Sequence, residues 1–304
     1  MRIAIMGTGG VGGYFGARLV QAGAEVHFIA RGAHLAAIRE NGLVIDSGVG
    51  EARLKVHATD RPEEIGPVDL VMFTVKLWDT EAAAEQIRPL IGPDTGVISF
   101  QNGIDGPDVL SRVLGPQHVM GGVCHIAAII GAPGVIKHTG TLARLTAGEW
   151  DGTETPRLAA FAAACRAAQF EFVQSSDIRR AIWEKFVFLS SFSGVTTLLR
   201  QPIGPIRADA DGRALFADAV AEACAVARAL GIDLGDDYPA KVLAFNDGLP
   251  EQMKSSMLGD LERGARLELP WLSGRVVALG REKGVATPVH RVIWAALKPY
   301  AALA

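Results

Sequence analysis

A glycine-rich turn near the start of the chain has the residue types and spacing that bind the phosphates of a dinucleotide. It occupies residues 7–12, between the apolar run 1–6 and a predicted helix over 14–22. In such a turn the first glycine permits a tight bend, the second lets the backbone approach a pyrophosphate, and the third lets the helix pack closely. The phosphates lie on the helix N-terminus, where N–H groups and the helix dipole favour anions. The residues expected to bind the cofactor are Gly7, Thr8, Gly9, Gly10, Val11 and Gly12.

The residue that follows the second predicted strand, 25–30, narrows the choice of cofactor. Sites selective for NAD usually place an aspartate or glutamate there to accept hydrogen bonds from the ribose. This chain has Arg31 at that point, and a planar guanidinium suits a 2′-phosphate. The sequence therefore predicts NADP(H), with Arg31 on its 2′-phosphate. The alternative is that Arg31 is an ordinary solvated surface side chain.

Polar side chains follow two further predicted strands. Lys76 comes directly after the strand 68–75, and Asn102 follows the strand 96–100. An amide at a strand end can hydrogen-bond a cofactor ribose or a substrate carboxylate or hydroxyl, although Asn-Gly is also a common turn pair. Because the two residues end successive strands, each strengthens the functional interpretation of the other. We expect Lys76 and Asn102 to bind the cofactor, and Asn102 to contact the substrate as well.

Lys185 has the position expected of a general acid. On a predicted helix over 177–199 it shares one face with Ile178, Ile182 and Leu189. Partial burial lowers the pKa of an amine towards neutrality, which suits a group that must donate a proton near pH 7. The alternative is a lysine whose stem packs against that apolar face while its ammonium reaches water.

Glu268 precedes Pro270, which can begin a helix as its first residue. The simplest role of this carboxylate is a favourable interaction with the helix N-terminus. A role in orienting a nearby lysine or bonding a substrate hydroxyl stays open. His125 and His138 lack carboxylate or cysteine neighbours at metal-ligand spacing, so we interpret both as structural. The thiols, interpreted as small core residues, are Cys124, Cys165 and Cys224.

The elements that must position these residues fall into two parts. Residues 1–174 alternate strand and helix patterns and end with an extended segment at 170–173, which predicts an α/β Rossmann-type N-terminal domain with a parallel sheet and ligands at the carboxyl ends of its strands. Residues 175–304 predict an all-helical C-terminal domain, with Ser175 or Ser176 available to cap its first helix. Its predicted helices are 177–199, 212–230, 237–246, 250–263 and 271–283. We expect the active site in the cleft between the two domains.

Composition excludes several classes of partner. The 304-residue chain is 49% hydrophobic and carries a net charge of −3, with 30 basic against 33 acidic residues, so a polyanion-binding surface and a nucleic-acid partner are not expected. No window approaches the roughly 20 apolar residues of a membrane span. The 3 cysteines form no CxxC pair, which favours a reducing compartment and argues against zinc. We expect a cytoplasmic protein with a small-molecule substrate, no metal, and apolar helical faces that suit a homodimer.

Short motifs in a fixed order give the chain a resemblance to a known family. They are Arg31-Gly32-x-His34, Thr74-Val75-Lys76, Gln101-Asn102-Gly103, Trp183-Glu184-Lys185, and Ser255-Ser256-Met257 followed by Glu268. With the glycine turn, these motifs resemble the ketopantoate reductase family (2-dehydropantoate 2-reductases) over nearly the whole chain. The resemblance implies a Rossmann domain followed by a helical domain, and reduction of a 2-oxo acid to a 2-hydroxy acid by NADPH. The first substrate it implies is 2-dehydropantoate, reduced to pantoate in pantothenate biosynthesis.

The resemblance also implies roles for individual residues. Lys185 matches the general acid of the family, and Glu268 matches its partner carboxylate. Asn102 and Lys76 match polar groups near the nicotinamide and the substrate, and Ser256 matches a ligand of a substrate hydroxyl.

The chain departs from the family pattern in its expected substrate pocket. Pantoate-forming members carry asparagines four and eight residues after the lysine, where this chain has Leu189 and Ser193. A pocket with fewer hydrogen-bonding groups discriminates less strongly for hydroxyls, so a less polar 2-oxo acid is a second candidate substrate. Asp79, three residues after Lys76, is another position where polarity differs. An imine or other carbonyl substrate, and a non-catalytic NADPH-binding module, are the remaining alternatives.

Overall fold

The computed structural model describes residues 1–301 and forms two compact units. The first is Met1–Ala181, and the second begins at Ile182. The division falls inside one long helix, Ile178–Leu199. Residues 302–304 of the predicted helical domain lie outside the described residues.

The first unit is built on one 10-stranded sheet. Its strand order is β4-β3-β9-β8-β7-β6-β1-β2-β5, and β10 pairs with β9 beside that path. The strands are β1 (Arg2–Met6), β2 (Glu25–Ile29), β3 (Leu43–Ser47), β4 (Ala52–Leu54), β5 (His57–Thr59), β6 (Leu70–Phe73), β7 (Gly96–Ser99), β8 (Val119–Ala132), β9 (Val135–Gly148) and β10 (Glu171–Gln174).

The register of the parallel strands brings their carboxyl ends together. Met6, the last residue of β1, pairs with Ile29 of β2 on one side and with Phe73 of β6 on the other. Phe73 in turn pairs with Ser99, the last residue of β7. The segments that leave these strand ends therefore start side by side along one edge of the sheet, which confirms the predicted Rossmann-type arrangement.

The sequence predicts a parallel sheet, but part of this sheet is antiparallel. The stretch 119–130 lies in β8, which continues to Ala132, and the chain then turns back as β9, a strand that was not predicted from the sequence. β8 and β9 pair antiparallel, and so do β3 and β4. The turn of this hairpin needs Gly134, whose φ of 77° is in the left-handed region that favours glycine.

Helix α1 of the first unit packs against both the parallel strands and the hairpin. It touches β1 and β2, and also β3, β8 and β9. Its glycines make these approaches possible: a Cβ on Gly13 would lie 2.7 Å from the Ile136 side chain, and one on Gly16 would collide with Phe28. The helices of this unit are α1 (Gly10–Gln21), α2 (Gly32–Asn41), α3 (Thr80–Gln86), α4 (Gly106–Leu114) and α5 (Pro156–Ala167).

The second unit is helical over its described residues, as predicted. One predicted helix, 250–263, is wrong for its first residues: the helix starts only at Ser256, because Ser255 caps it by accepting a hydrogen bond from the Leu258 N–H at 3.0 Å. The long helix is capped by Asp177, which accepts a hydrogen bond from the Arg180 N–H at 3.0 Å. The prediction that Ser175 or Ser176 caps this helix is therefore wrong. The helices are α6 (Ile178–Leu199), α7 (Ile203–Ala208), α8 (Ala210–Ala229), α9 (Tyr238–Asp247), α10 (Ser256–Glu262), α11 (Ser273–Lys283) and α12 (Pro288–Leu297).

Candidate active site

The glycine turn is fixed to the end of the neighbouring strand β2. The N–H groups of Gly7 and Thr8 both donate to the carbonyl of Ile29, at 3.3 and 3.1 Å. The Thr8 hydroxyl donates to the same oxygen at 2.9 Å. Gly7 has a φ of 100°, a backbone conformation that residues other than glycine rarely adopt. The tight bend expected at Gly7 is therefore present, and Thr8 acts through its buried side chain as well as its backbone.

Thr74, which follows β6, joins the turn from the other side. Its hydroxyl contacts the carbonyl oxygens of Gly7 and Met6, at 2.7 and 3.2 Å. Gly12 lies directly beneath this contact, and a Cβ there would be 2.5 Å from the Thr74 hydroxyl and would overlap the Gly7 carbonyl. Gly12 is thus required by close packing of α1 on the turn.

The N-terminus of α1 is open to a ligand. Gly9 occupies the position before the helix, and no side chain caps the helix there. A Cβ built on Gly9 meets nothing within 4 Å, in contrast to one on Gly10, which would collide with the backbone of Ala128. Gly10 therefore serves packing against β8, while Val11 is half-buried in the first turn of the helix. The open helix N-terminus at Gly9 fits the pyrophosphate of a dinucleotide.

Arg31 is exposed at the end of β2, with 73% of its side chain accessible. It is not simply solvated, because its Nη2 donates to the Oδ2 of Asp79 at 3.0 Å. Asp79 ends the short 3₁₀ turn Leu77–Asp79, which follows β6. From the sequence, Asp79 stands out only as a change in polarity, and this ion pair could not be predicted because the two residues are 48 positions apart.

His34, in the Arg31-Gly32-x-His34 motif, is a further residue of this region for which no role was predicted. Its Nδ1 accepts a hydrogen bond from the Gly134 N–H at 3.0 Å, which joins α2 to the turn of the hairpin. Burial lowers the pKa of His34, and the nearby Thr8 backbone opposes that change.

Lys76 and Asn102 leave adjacent strands, as predicted. Lys76 is exposed, and its ammonium lies 5.5 Å from the centre of the Trp78 ring. Asn102 is half-buried. The side chain that organises this edge is Gln101, which was not singled out. Its Nε2 donates to the Val75 carbonyl at 3.0 Å and to the Thr80 hydroxyl at 2.8 Å. Gln101 thus fixes the segment after β7 to the segment after β6.

In the second unit, α6 carries the predicted general acid. Lys185 and Leu189 are half-buried, whereas Ile182 on the same face is 8% exposed. Ser193, predicted to contact the substrate, is fully buried, and its hydroxyl makes no hydrogen bond among the described residues. Of Leu189 and Ser193, Leu189 is the more accessible.

The other predicted residues of the second unit lie at the starts of short elements. Glu268 is 5% exposed and precedes the 3₁₀ turn Leu269–Trp271, so Pro270 belongs to that turn and does not begin a helix. Ser256 is exposed as the first residue of α10. Its neighbour Ser255 is buried and accepts a hydrogen bond from the Thr196 hydroxyl at 2.8 Å.

His138 and the cysteines lie among packed side chains. His138 is buried, with Nδ1 2.9 Å from the Ser47 hydroxyl and Nε2 3.2 Å from the Leu142 carbonyl oxygen. All three cysteines are reduced and buried, and burial raises the pKa of Cys224 to about 11. Within residues 1–301, no cluster of His, Cys, Asp and Glu side chains could hold a metal ion. In that same range no helix is long and apolar enough to cross a membrane.

Comparison with known proteins identifies the family. Residues 3–152 match the model of ketopantoate reductase PanE/ApbA, and residues 177–301 match its C-terminal model. A 2-dehydropantoate 2-reductase of Mesorhizobium japonicum is 33% identical, covering 98% of this chain and 97% of its own. An uncharacterized oxidoreductase of Bacillus subtilis, YkpB, is 31% identical over 99% of both chains. The crystal structure of 2-dehydropantoate 2-reductase from Geobacter metallireducens superposes with a TM-score of 0.91, at 35% identity, over 98% of this chain and 99% of that one. The chain belongs to the ketopantoate reductase family and is a nicotinamide-dependent oxidoreductase.

Proposed function

We propose that this protein reduces a 2-oxo acid to the corresponding 2-hydroxy acid with NADPH as the hydride donor. The observation that carries this proposal is the open N-terminus of α1 at Gly9, next to the exposed guanidinium of Arg31 at the end of β2. The first suits a pyrophosphate and the second a 2′-phosphate. Val11 and the rest of the glycine turn complete the proposed phosphate site, and Lys76 and Asn102 contact the cofactor from the ends of β6 and β7.

The chain's own residues supply the proton and the orientation of the substrate. Bound NADPH would supply the hydride that the keto carbon receives, and negative charge would then develop on the keto oxygen. Lys185 donates a proton to that oxygen, which yields the hydroxyl of the product. Glu268 orients the Lys185 ammonium, and Asn102 and Ser256 bind polar groups of the substrate. Proton donation of this kind contributes a rate factor of roughly 10²–10⁴.

The substrate is 2-dehydropantoate or a less polar 2-oxo acid. The relatives named 2-dehydropantoate 2-reductase support the first. The half-buried Leu189, in place of a family asparagine, supports the second, because an apolar side chain cannot bond a substrate hydroxyl. Ser193 is fully buried, so the difference between the two substrates depends mainly on Leu189.

A panel of 2-oxo acids assayed with NADPH tests the proposal. Loss of NADPH absorbance on addition of an acid supports the reductase, and the largest kcat/KM in the panel identifies the substrate class. Imines in the same panel test the alternative carbonyl chemistry. Binding of NADPH, seen as fluorescence enhancement, with no consumption by any member of the panel would contradict catalysis and favour a binding module.

A further inference from the structure

The Arg31–Asp79 ion pair places a negative charge where the cofactor's 2′ substituent would bind. β2 and β6 lie on either side of β1, so the segments after both strands flank the glycine turn. Arg31 comes from the first segment and Asp79 from the second, with 3.0 Å between Nη2 and Oδ2. Their exposures differ, since 73% of the Arg31 side chain is accessible but only 33% of the Asp79 side chain.

The turn that carries the carboxylate is held in place by hydrogen bonds. The Asp79 N–H donates to the Lys76 carbonyl at 2.9 Å. The next residue, Thr80, donates to the Leu77 carbonyl at 2.7 Å and accepts from the buried Gln101 amide at 2.8 Å. The turn that carries Asp79 is therefore tied to the sheet edge, whereas Arg31 reaches the carboxylate through a long and mostly exposed side chain.

This arrangement acts oppositely on the two nicotinamide dinucleotides. A 2′-phosphate is an anion, so it must displace Asp79 from Arg31 and then remain near a like charge. A 2′-hydroxyl is a hydrogen-bond donor, and a carboxylate near the ribose is the group that NAD-selective sites use to accept that bond. In this chain the carboxylate is supplied by the turn after β6, because Arg31 occupies the usual position after β2.

We propose that Asp79 is a specificity-determining residue of the cofactor site, which weakens NADPH binding and supports NADH binding. The proposal rests on the proposed function only in requiring that the Arg31 site bind the adenosine end of a nicotinamide dinucleotide. It narrows the preference for NADPH over NADH that Arg31 alone would give, so we expect the protein to bind both dinucleotides.

Direct binding measurements test this role without relying on turnover. Dissociation constants are measured for NADPH and NADH by fluorescence, and for adenosine 2′,5′-bisphosphate and 5′-AMP by calorimetry. Because exposed ion pairs have small interaction energies, D79N should tighten the binding of NADPH and of the bisphosphate by only about three- to fivefold. It should slightly weaken the binding of 5′-AMP and NADH, because both lose the carboxylate that accepts from the 2′-hydroxyl, and D79E should restore the wild-type ratio. The gain should shrink at high salt, because the charges are partly exposed.

Glu81 provides a matched control. It is exposed on α3, two residues beyond Asp79, and its Oε1 lies 3.0 Å from Nη2 of Arg112 rather than from Arg31. E81Q removes the same charge from the same region, and the ratio of NADH to NADPH dissociation constants should stay at the wild-type value.

Two results would overturn the proposal: an unchanged ratio in D79N, or an equal change in E81Q. Failure of the wild-type protein to bind any of the four ligands would also overturn it, together with the proposed function. If the ligands bind as expected but no 2-oxo acid is reduced, the proposed function fails while the role of Asp79 is supported.

Discussion

The hydroxyl of Thr74 lies 2.7 Å from the carbonyl oxygen of Gly7 and joins the end of β6 to the glycine turn. This contact fixes the first carbonyl of the turn that we propose for the pyrophosphate. T74V keeps the shape of the side chain but removes the donor, which costs about 1 kcal/mol and should weaken NADPH binding by about fivefold. T74S keeps the hydroxyl and should bind NADPH like the wild type. Equal dissociation constants for T74V and the wild type would show that the contact does not shape the site.

Gly9 and Gly12 should respond differently to the same substitution. G12A should lower the unfolding free energy by about 2 kcal/mol, because its methyl group would overlap the Gly7 carbonyl. G9A should fold normally, since its φ of −84° suits any residue and no atom lies near the new Cβ. Its methyl group would occupy the space proposed for the pyrophosphate, so NADPH should bind at least about tenfold more weakly. Thermal unfolding and fluorescence titration measure both effects, and tight NADPH binding by G9A would contradict the proposed phosphate site.

Lys185 should be needed for turnover but not for cofactor binding. K185A should reduce kcat by roughly 10²–10⁴-fold, because the developing charge on the keto oxygen would lose its proton donor. The NADPH dissociation constant should change little. K241A is the matched control, because Lys241 is exposed in an ion pair with Asp237 on the same unit and should leave kcat unchanged. A near-normal kcat in K185A would remove Lys185 from the mechanism.

His290 should make the stability of the protein depend on pH. Its imidazole is fully buried, with Nε2 3.0 Å from the Ala219 carbonyl oxygen, and burial lowers its pKa to about 4. Between pH 4 and the ordinary histidine pKa of 6.5, the unfolded chain binds more protons than the folded one. The contribution of His290 to the free energy of unfolding is therefore fully present above pH 6.5. It is lost as the pH decreases towards 4, by at most about 3 kcal/mol.

Urea unfolding at pH 7.5 and pH 5 measures this effect. Glu222 accepts a hydrogen bond from the His290 backbone N–H, and burial raises its pKa. Its contribution to the free energy of unfolding therefore has the opposite pH dependence: it is present at low pH and lost as the pH rises. Comparison of the wild type with H290Q isolates the histidine, and H290Q should lose less stability than the wild type between the two pH values. H57Q, at an exposed histidine, should behave like the wild type. If H290Q lost as much stability as the wild type between pH 7.5 and pH 5, the assignment of this pH dependence to His290 would be wrong.

The fold and the site could be predicted where local sequence decides the outcome. The glycine turn, Arg31 and the residues after β6 and β7 follow apolar runs, and parallel pairing brings the ends of such runs to one edge. The Arg31–Asp79 pair could not be predicted, because it depends on β2 and β6 flanking β1, a pairing between distant segments. β9 was missed because its glycines interrupt the alternating pattern. The burial of Ser193 depends on how the helices pack, which its spacing of eight residues from Lys185 does not reveal.

Hydride transfer from the nicotinamide to a 2-oxo acid is tested most directly by isotope labelling. NADPH deuterated at both C4 positions is incubated with the protein and the best acid of the panel, and the product is analysed by mass spectrometry and NMR. We predict one deuterium, bound to the carbon that bears the new hydroxyl. A hydroxy acid that carries no deuterium at that carbon would contradict the account.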